Sequence, residues 1–191
     1  MNSEIKYYEL YIDVYIIEQW HLKRPMNSRG EWVIPWTLCQ GRPVHLEEEP
    51  VVPLSRPGLA LDYSDTMGGI SVLSQRLVNL WHRLGLEEEI QLIPVRVEGQ
   101  TEHYYLLNTL RVIRCVDETR SDEFAFYEPQ DGEPEKVGHY RKVSGMKIDP
   151  TRVGDAEIFR PWGWTVTLIV SERVKRAMEE EGIRGARFIE V

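Results

Sequence analysis

The chain has 191 residues, 42% of them apolar and 28% charged. That balance argues against intrinsic disorder and suits one sizeable core in one domain, or at most two. The formal charge of −8, from 31 acidic against 23 basic side chains, argues against nucleic acid or an anionic membrane as a direct partner and favours a basic protein.

Tyr7 to Ile17 (YYELYIDVYII) is rich in aromatic and β-branched residues and predicts a strand. Glu9, Asp13 and Glu18 punctuate the stretch that a signal peptide would need to keep apolar. No run approaches the roughly 20 apolar residues of a membrane span, so a cytoplasmic location is expected. Pro25, Gly30, Pro35, Gly41, Pro43, Pro50, Pro53 and Pro57 follow, and leave room only for short edge strands and loops. Ile70, Leu73, Leu77, Leu80 with Trp81, and Leu84 recur every three or four residues and predict a helix over 70–84, capped by Gly85. Gly68 and Gly69 before it read as a turn, because neither GxGxxG nor a P-loop lysine accompanies them.

Ile90 to Val97, a turn at 98–101, and one long apolar strand from Tyr104 to Val116 suggest an antiparallel hairpin. Phe124–Tyr127, Val143–Ile148, Ala156–Phe159 and Thr165–Val170 are further strands, with a turn over 129–134. Ser171 is placed to cap a second helix, Glu172 lies in its first turn, Gly182 ends it, and Arg187–Val191 forms a last strand. No βαβ alternation and no repeat is visible. The expected fold is α+β, a mainly antiparallel β-sheet with two principal α-helices. It is expected as a single domain over 1–191, divisible into a proline-rich lobe 1–89 and a lobe 90–191.

Catalytic and metal-binding patterns are lacking. His21, His45, His82, His103 and His139 show no three- or four-residue spacing, and no GxSxG surrounds a serine. No metal and no cofactor is expected. Cys39 and Cys115 sit in apolar, strand-like stretches and read as reduced core thiols. Asp62 and Asp65 bracket a hydroxyl, and such a pair serves acid–base work or, more commonly, turns and caps. Tryptophans on loops, Trp20, Trp32, Trp36, Trp162 and Trp164, are core plugs or interface anchors. The acidic clusters, Glu47–Glu49 and Glu179–Glu181 among them, read mostly as solvated ends.

Several ordered motifs carry a resemblance. Tyr104-Tyr105-Leu106-Leu107-Asn108 leads to Val112, Ile113, Val116 and Asp117. Ile158-Phe159-Arg160 follows, then LIVSERV over 168–174 and GIRGARF over 182–188. Over about 90–191 the chain resembles the eleventh immunity family of bacterial polymorphic-toxin systems, and KIDPTRVGDAEIFRPWGW over 147–164 is similar to myxobacterial members. Most of these motif residues have structural roles: Asn108 is a candidate to tie neighbouring strands, and Phe188 to bury an aromatic. The resemblance implies a non-enzymatic protein that neutralises a cognate toxin by occluding its active site. The implied toxin is basic, encoded by an adjacent gene, and a nuclease of HNH type. The expected contacts are Trp32, Trp36, Glu47, Glu48, Asp62, Asp65 and Trp162, on a monomer. Two other readings compete: a small hydrolase using Asp62, Asp65 or His103, and a cytosolic scaffold.

Overall fold

The computed structural model describes residues 5–191. Its strands, in chain order, begin with β1 (Tyr7–Ile12), β2 (His21–Leu22), β3 (Val51–Val52), β4 (Leu54–Arg56), β5 (Tyr63–Asp65) and β6 (Ser71–Ser74). Helix α1 (Gln75–Arg83) is followed by β7 (Ile90–Val97), β8 (Tyr104–Thr109), β9 (Val112–Ile113), β10 (Glu123–Phe126) and β11 (Tyr140–Ser144). The chain finishes with β12 (Ile158–Pro161), β13 (Leu168–Ser171), α2 (Glu172–Glu180) and β14 (Ala186–Glu190). Among the described residues the fold is α+β, with two α-helices and mostly antiparallel sheets, as expected.

Two five-stranded sheets dominate, ordered β3-β7-β8-β6-β5 and β14-β1-β13-β12-β9. Each combines strands from both sides of residue 90. The only parallel pairs between named strands are β3 with β7 and β9 with β12.

The sheets are two versions of one plan, although the sequence shows no obvious repeat. In one, β5 pairs with β6, β6 runs into α1, and β7 returns. In the other, β12 pairs with β13, β13 runs into α2, and β14 returns. Matching residues stand at one constant separation: Tyr7 and Tyr104, Leu10 and Leu107, Ser74 and Ser171, Arg76 and Arg173, Gly85 and Gly182. The leading strand of each unit is exchanged. Strand β8 lies between β6 and β7 of the first unit, and β1 lies between β13 and β14 of the second.

The helices share their end chemistry. The Ser74 Oγ accepts from Leu77 N and the Ser171 Oγ from Val174 N. Gly85 and Gly182 take the left-handed conformation after the helices, with φ of 74° and 66°. Each second-position arginine reaches the far end of the other helix. Arg76 donates to the carbonyls of Glu181 and Gly182, and Arg173 to that of Leu84. Arg76 thereby offsets the unfavourable acids 179–181 at the negative end of α2. Arg83 adds a pair to Glu181 at 2.9 Å.

Strand alternation distributes three cores. Leu73, Leu107, Val170 and Ile158 face the helices with Trp81, Val174 and Met178. Val72 and Leu106 face the opposite way, onto Trp20, Leu22, Leu38 and Val52 of the proline-rich segment. Ile169 and Phe159 face Tyr7, Cys115, Val116 and Ile148. Burying such side chains stabilises by roughly 1.5–3 kcal/mol each.

This two-sided burial explains the misread boundaries. All four residues of β6 (SVLS) are buried, so Ile70 and Leu73 fell into the spacing of the helix that follows, although 71–74 is strand. Strand β13 begins at Leu168 because Trp164 to Thr167 form a turn. The expected strand 104–116 breaks after Thr109, and Val112–Ile113 joins the other sheet. Residues 13–17 turn away after β1, and β11 lies at 140–144 instead of 143–148. Cys39 lies half-buried in a 3-10 turn, Pro35–Cys39, rather than in a strand. Cys115 is fully buried, and burial pushes its thiol up to about 12.

Candidate functional site

The proline-rich segment builds an outward face. Pro35 starts the 3-10 turn that positions Trp36. The backbone of Val33 donates to Pro25 and that of Met26 to Val51, which fixes the loop against β3. Trp32, Ile34, Trp36, Met67 and Val166 are exposed, Val166 at 75% and Trp36 at 46%. Arg24 joins them. Its guanidinium lies 4.8 Å from the Trp32 ring centroid, and its Nε donates to the Met67 carbonyl at 3.2 Å. A Cβ on Gly68 would stand 3.4 Å from Pro35. Trp32 shares a groove with Ile34, Trp36 shares a cleft with Val166, and Arg24 links Trp32 to Met67; these five apolar residues are called the rim.

That rim borders a cleft of about 340 Å³. Trp36, Gly68, Tyr127, Arg160, Trp164 and Val166 are among its lining residues. The cleft lies where the proline-rich cover, the β10–β11 ribbon and the link after β12 meet. The ribbon is held by Phe126 stacking on Tyr140 at 4.8 Å and by the Tyr140 hydroxyl donating to Glu118 at 2.6 Å.

A second groove, of about 380 Å³, gathers Trp32, Glu47 and Glu48. Glu48 accepts from Ser28 N and Oγ at 3.1 and 3.0 Å, and Glu47 lies 3.8 Å from Arg29. The rim is thus flanked by exposed acids. Trp162 is half-buried between Arg114, 3.4 Å from its ring centroid, and His139 at 4.8 Å. His139 lines the cleft, so Trp162 backs its wall.

Asp62 stands apart from this face, and Asp65 is largely withdrawn from solvent near Arg160 of the cleft. Asp62 is buried and accepts from Ser74 Oγ at 2.8 Å, Arg184 N at 2.9 Å and Arg76 at 3.3 Å. It ties α1 to the chain beyond α2. Glu157 plays the matching part for α2, accepting from Arg173 at 2.8 Å. The carboxyl of Asp65 is raised above its ordinary value by burial. His103 is exposed, and its backbone carbonyl caps Gln75 N. No hydrogen bond joins any two of Asp62, Asp65 and His103 among the described residues, so a hydrolytic set does not form there. Among the described residues, no three His, Cys, Asp or Glu side chains could hold a metal ion. No helix among them is long and apolar enough to cross a membrane.

Ile34, Met67, Val166 and Arg160 escaped the sequence reading. The signal for the first three is apolar residues placed beside Pro35, Gly68 and the 163–167 turn, where no strand or helix buries them. Asn108 does tie neighbours. It donates to the Gln91 side chain, its partner across β7, at 2.8 Å and to the Arg42 carbonyl at 2.9 Å. Phe188 is half-buried against the helix-facing core.

An α+β scaffold with an exposed apolar rim, flanking acids, and Asp62, Asp65 and His103 not hydrogen-bonded to one another has the features of a module that holds another molecule. The model of the immunity protein family (Imm11) matches residues 11–191, and the chain belongs to that family. The match reaches well into the half that the motifs of 90–191 left aside. No curated protein matches the chain. Membership points to a toxin-neutralising role, and so to binding a cognate toxin rather than turning over a substrate.

Proposed function

We propose that the protein shields its cell by seating the rim over the working surface of a basic, cytoplasmically acting nuclease and so occluding the active site. The observation that carries this reading is the set of exposed apolar side chains: Trp32 and Ile34 in one groove with Glu47 and Glu48, Trp36 and Val166 at the neighbouring cleft, and Met67 joined to Trp32 through Arg24. Aromatic anchors ringed by polar groups concentrate binding energy. The net charge of −8 favours encounter with a basic partner. Trp162 acts from behind, by bracing the cleft wall. Asp62 and Asp65 hold the scaffold.

The protein acts as a monomer and as one unit. Strands from either side of residue 90 in both large sheets support one unit over two separable lobes, 1–89 and 90–191.

The test is capture of the toxin encoded by the adjacent gene, followed by an assay of its nuclease activity. Trp36→Ala and Val166→Asp should each weaken binding by roughly 30-fold or more, as an anchor loss of about 2 kcal/mol requires. Glu47→Gln with Glu48→Gln should mainly slow association at low salt. A toxin bound with full affinity by both rim variants would place the contact elsewhere.

A further inference from the structure

The cleft beneath the rim contains a buried cation that has no carboxylate partner among the described residues, and we propose that it binds a small planar carboxylate. Arg160 on β12 is 6% exposed. Its Nη1 donates to the Thr165 carbonyl at 2.8 Å, while its Nε has no acceptor. Asp65 is near enough to be influenced by this charge, yet the two form no ion pair, and the Asp65 Oδ1 lacks a donor. A guanidinium withdrawn from water with so few acceptors is costly unless an anion completes it.

The rest of the cleft fits that role. No acidic side chain lines it. Its other formal cation, Lys136, is already paired with Glu133 and lies over the Tyr127 ring. Trp36, Trp164, Tyr127 and Tyr140 supply flat apolar walls. Its volume of about 340 Å³ lies at the small end of ligand pockets, which span roughly 300–1,000 Å³. A ring slides between the aromatic walls, and its carboxylate takes the open N–H groups of Arg160 in place of water. This site stands independently of the toxin reading, since nothing in it depends on the partner's nature.

The test titrates the full-length protein with 1-naphthoate and with 1-naphthamide, its neutral counterpart, following tryptophan fluorescence and heat. Naphthoate should bind at least about tenfold more tightly than the amide, the scale of one charge-assisted contact. Arg160→Gln should abolish that preference while Trp164→Phe keeps it. If Arg160→Gln does not fold, the comparison of the two probes on the unaltered protein still decides. Equal affinity for both probes overturns the proposal, as does inorganic phosphate binding as tightly as naphthoate, which would show recognition of charge alone. So does an absence of naphthoate binding coupled to loss of toxin binding in a folded Arg160→Gln protein; that result assigns the cleft to an acidic side chain of the toxin.

Discussion

Helix α1 buries Leu77, Val78, Leu80 and Trp81, whereas α2, in the matching place of the second unit, buries only Val174 and Met178. Both start on a serine cap, end before a left-handed glycine and send an arginine to the other's carboxyl end. What the units share is therefore the hardware of a strand–helix–strand turn. What differs is bulk, and above all the outer covers. The first unit is covered by the proline-rich segment, the second by residues from Cys115 to Val153, which include the β10–β11 ribbon. Rim and cleft lie in and between those covers. Shared chemistry holds the backbone, and divergent chemistry faces outward.

The strongest way to break this comparison is to cut it in two. Because β1 and β8 are exchanged, neither 1–99 nor 100–191 can complete its own sheet. Each alone should lack a cooperative thermal transition, and mixing both should restore one near that of the intact chain. A cooperative, monomeric half would show that the exchange is dispensable. Next in size, Trp81→Ala should destabilise by about 3–5 kcal/mol. Met178→Ala should fall nearer the low end of the roughly 2–5 kcal/mol range for that substitution. Urea midpoints at unchanged slope would measure both, and equal losses would contradict the asymmetry of bulk. Smallest are the caps. Ser171→Ala should cost about 1 kcal/mol. Ser74→Ala should cost more, about 2 kcal/mol, because the Ser74 hydroxyl also donates to buried Asp62. Identical losses would mean that the Asp62 contact adds nothing.

Much of the frame could be read from residue order. Ile90–Val97, which alternates buried and exposed from Ile93 on, forms the strand it predicts, and Ser171 to Gly182 shows its cap, helix and stop in plain chemistry. The reading failed where one strand is buried on both faces, as at Ser71–Ser74, since periodicity there no longer separates strand from helix. The correspondence between the two units was hidden because its matching residues are few and its leading strands are exchanged, a pairing that no local pattern encodes. Trp32 and Trp36 were legible as loop aromatics. Arg160 was not, because an arginine inside an apolar strand stretch signals nothing until the fold shows what it lacks.

Strand β1 is made early and seated late. Its berth between β13 and β14 does not exist until residues 168–190 have been synthesised. A ribosome that stalls midway leaves an orphan ribbon and a gap, with naked edges that attract aggregation or proteolysis. Fragments are thus poor antidotes, and a cell's protection tracks its count of finished molecules.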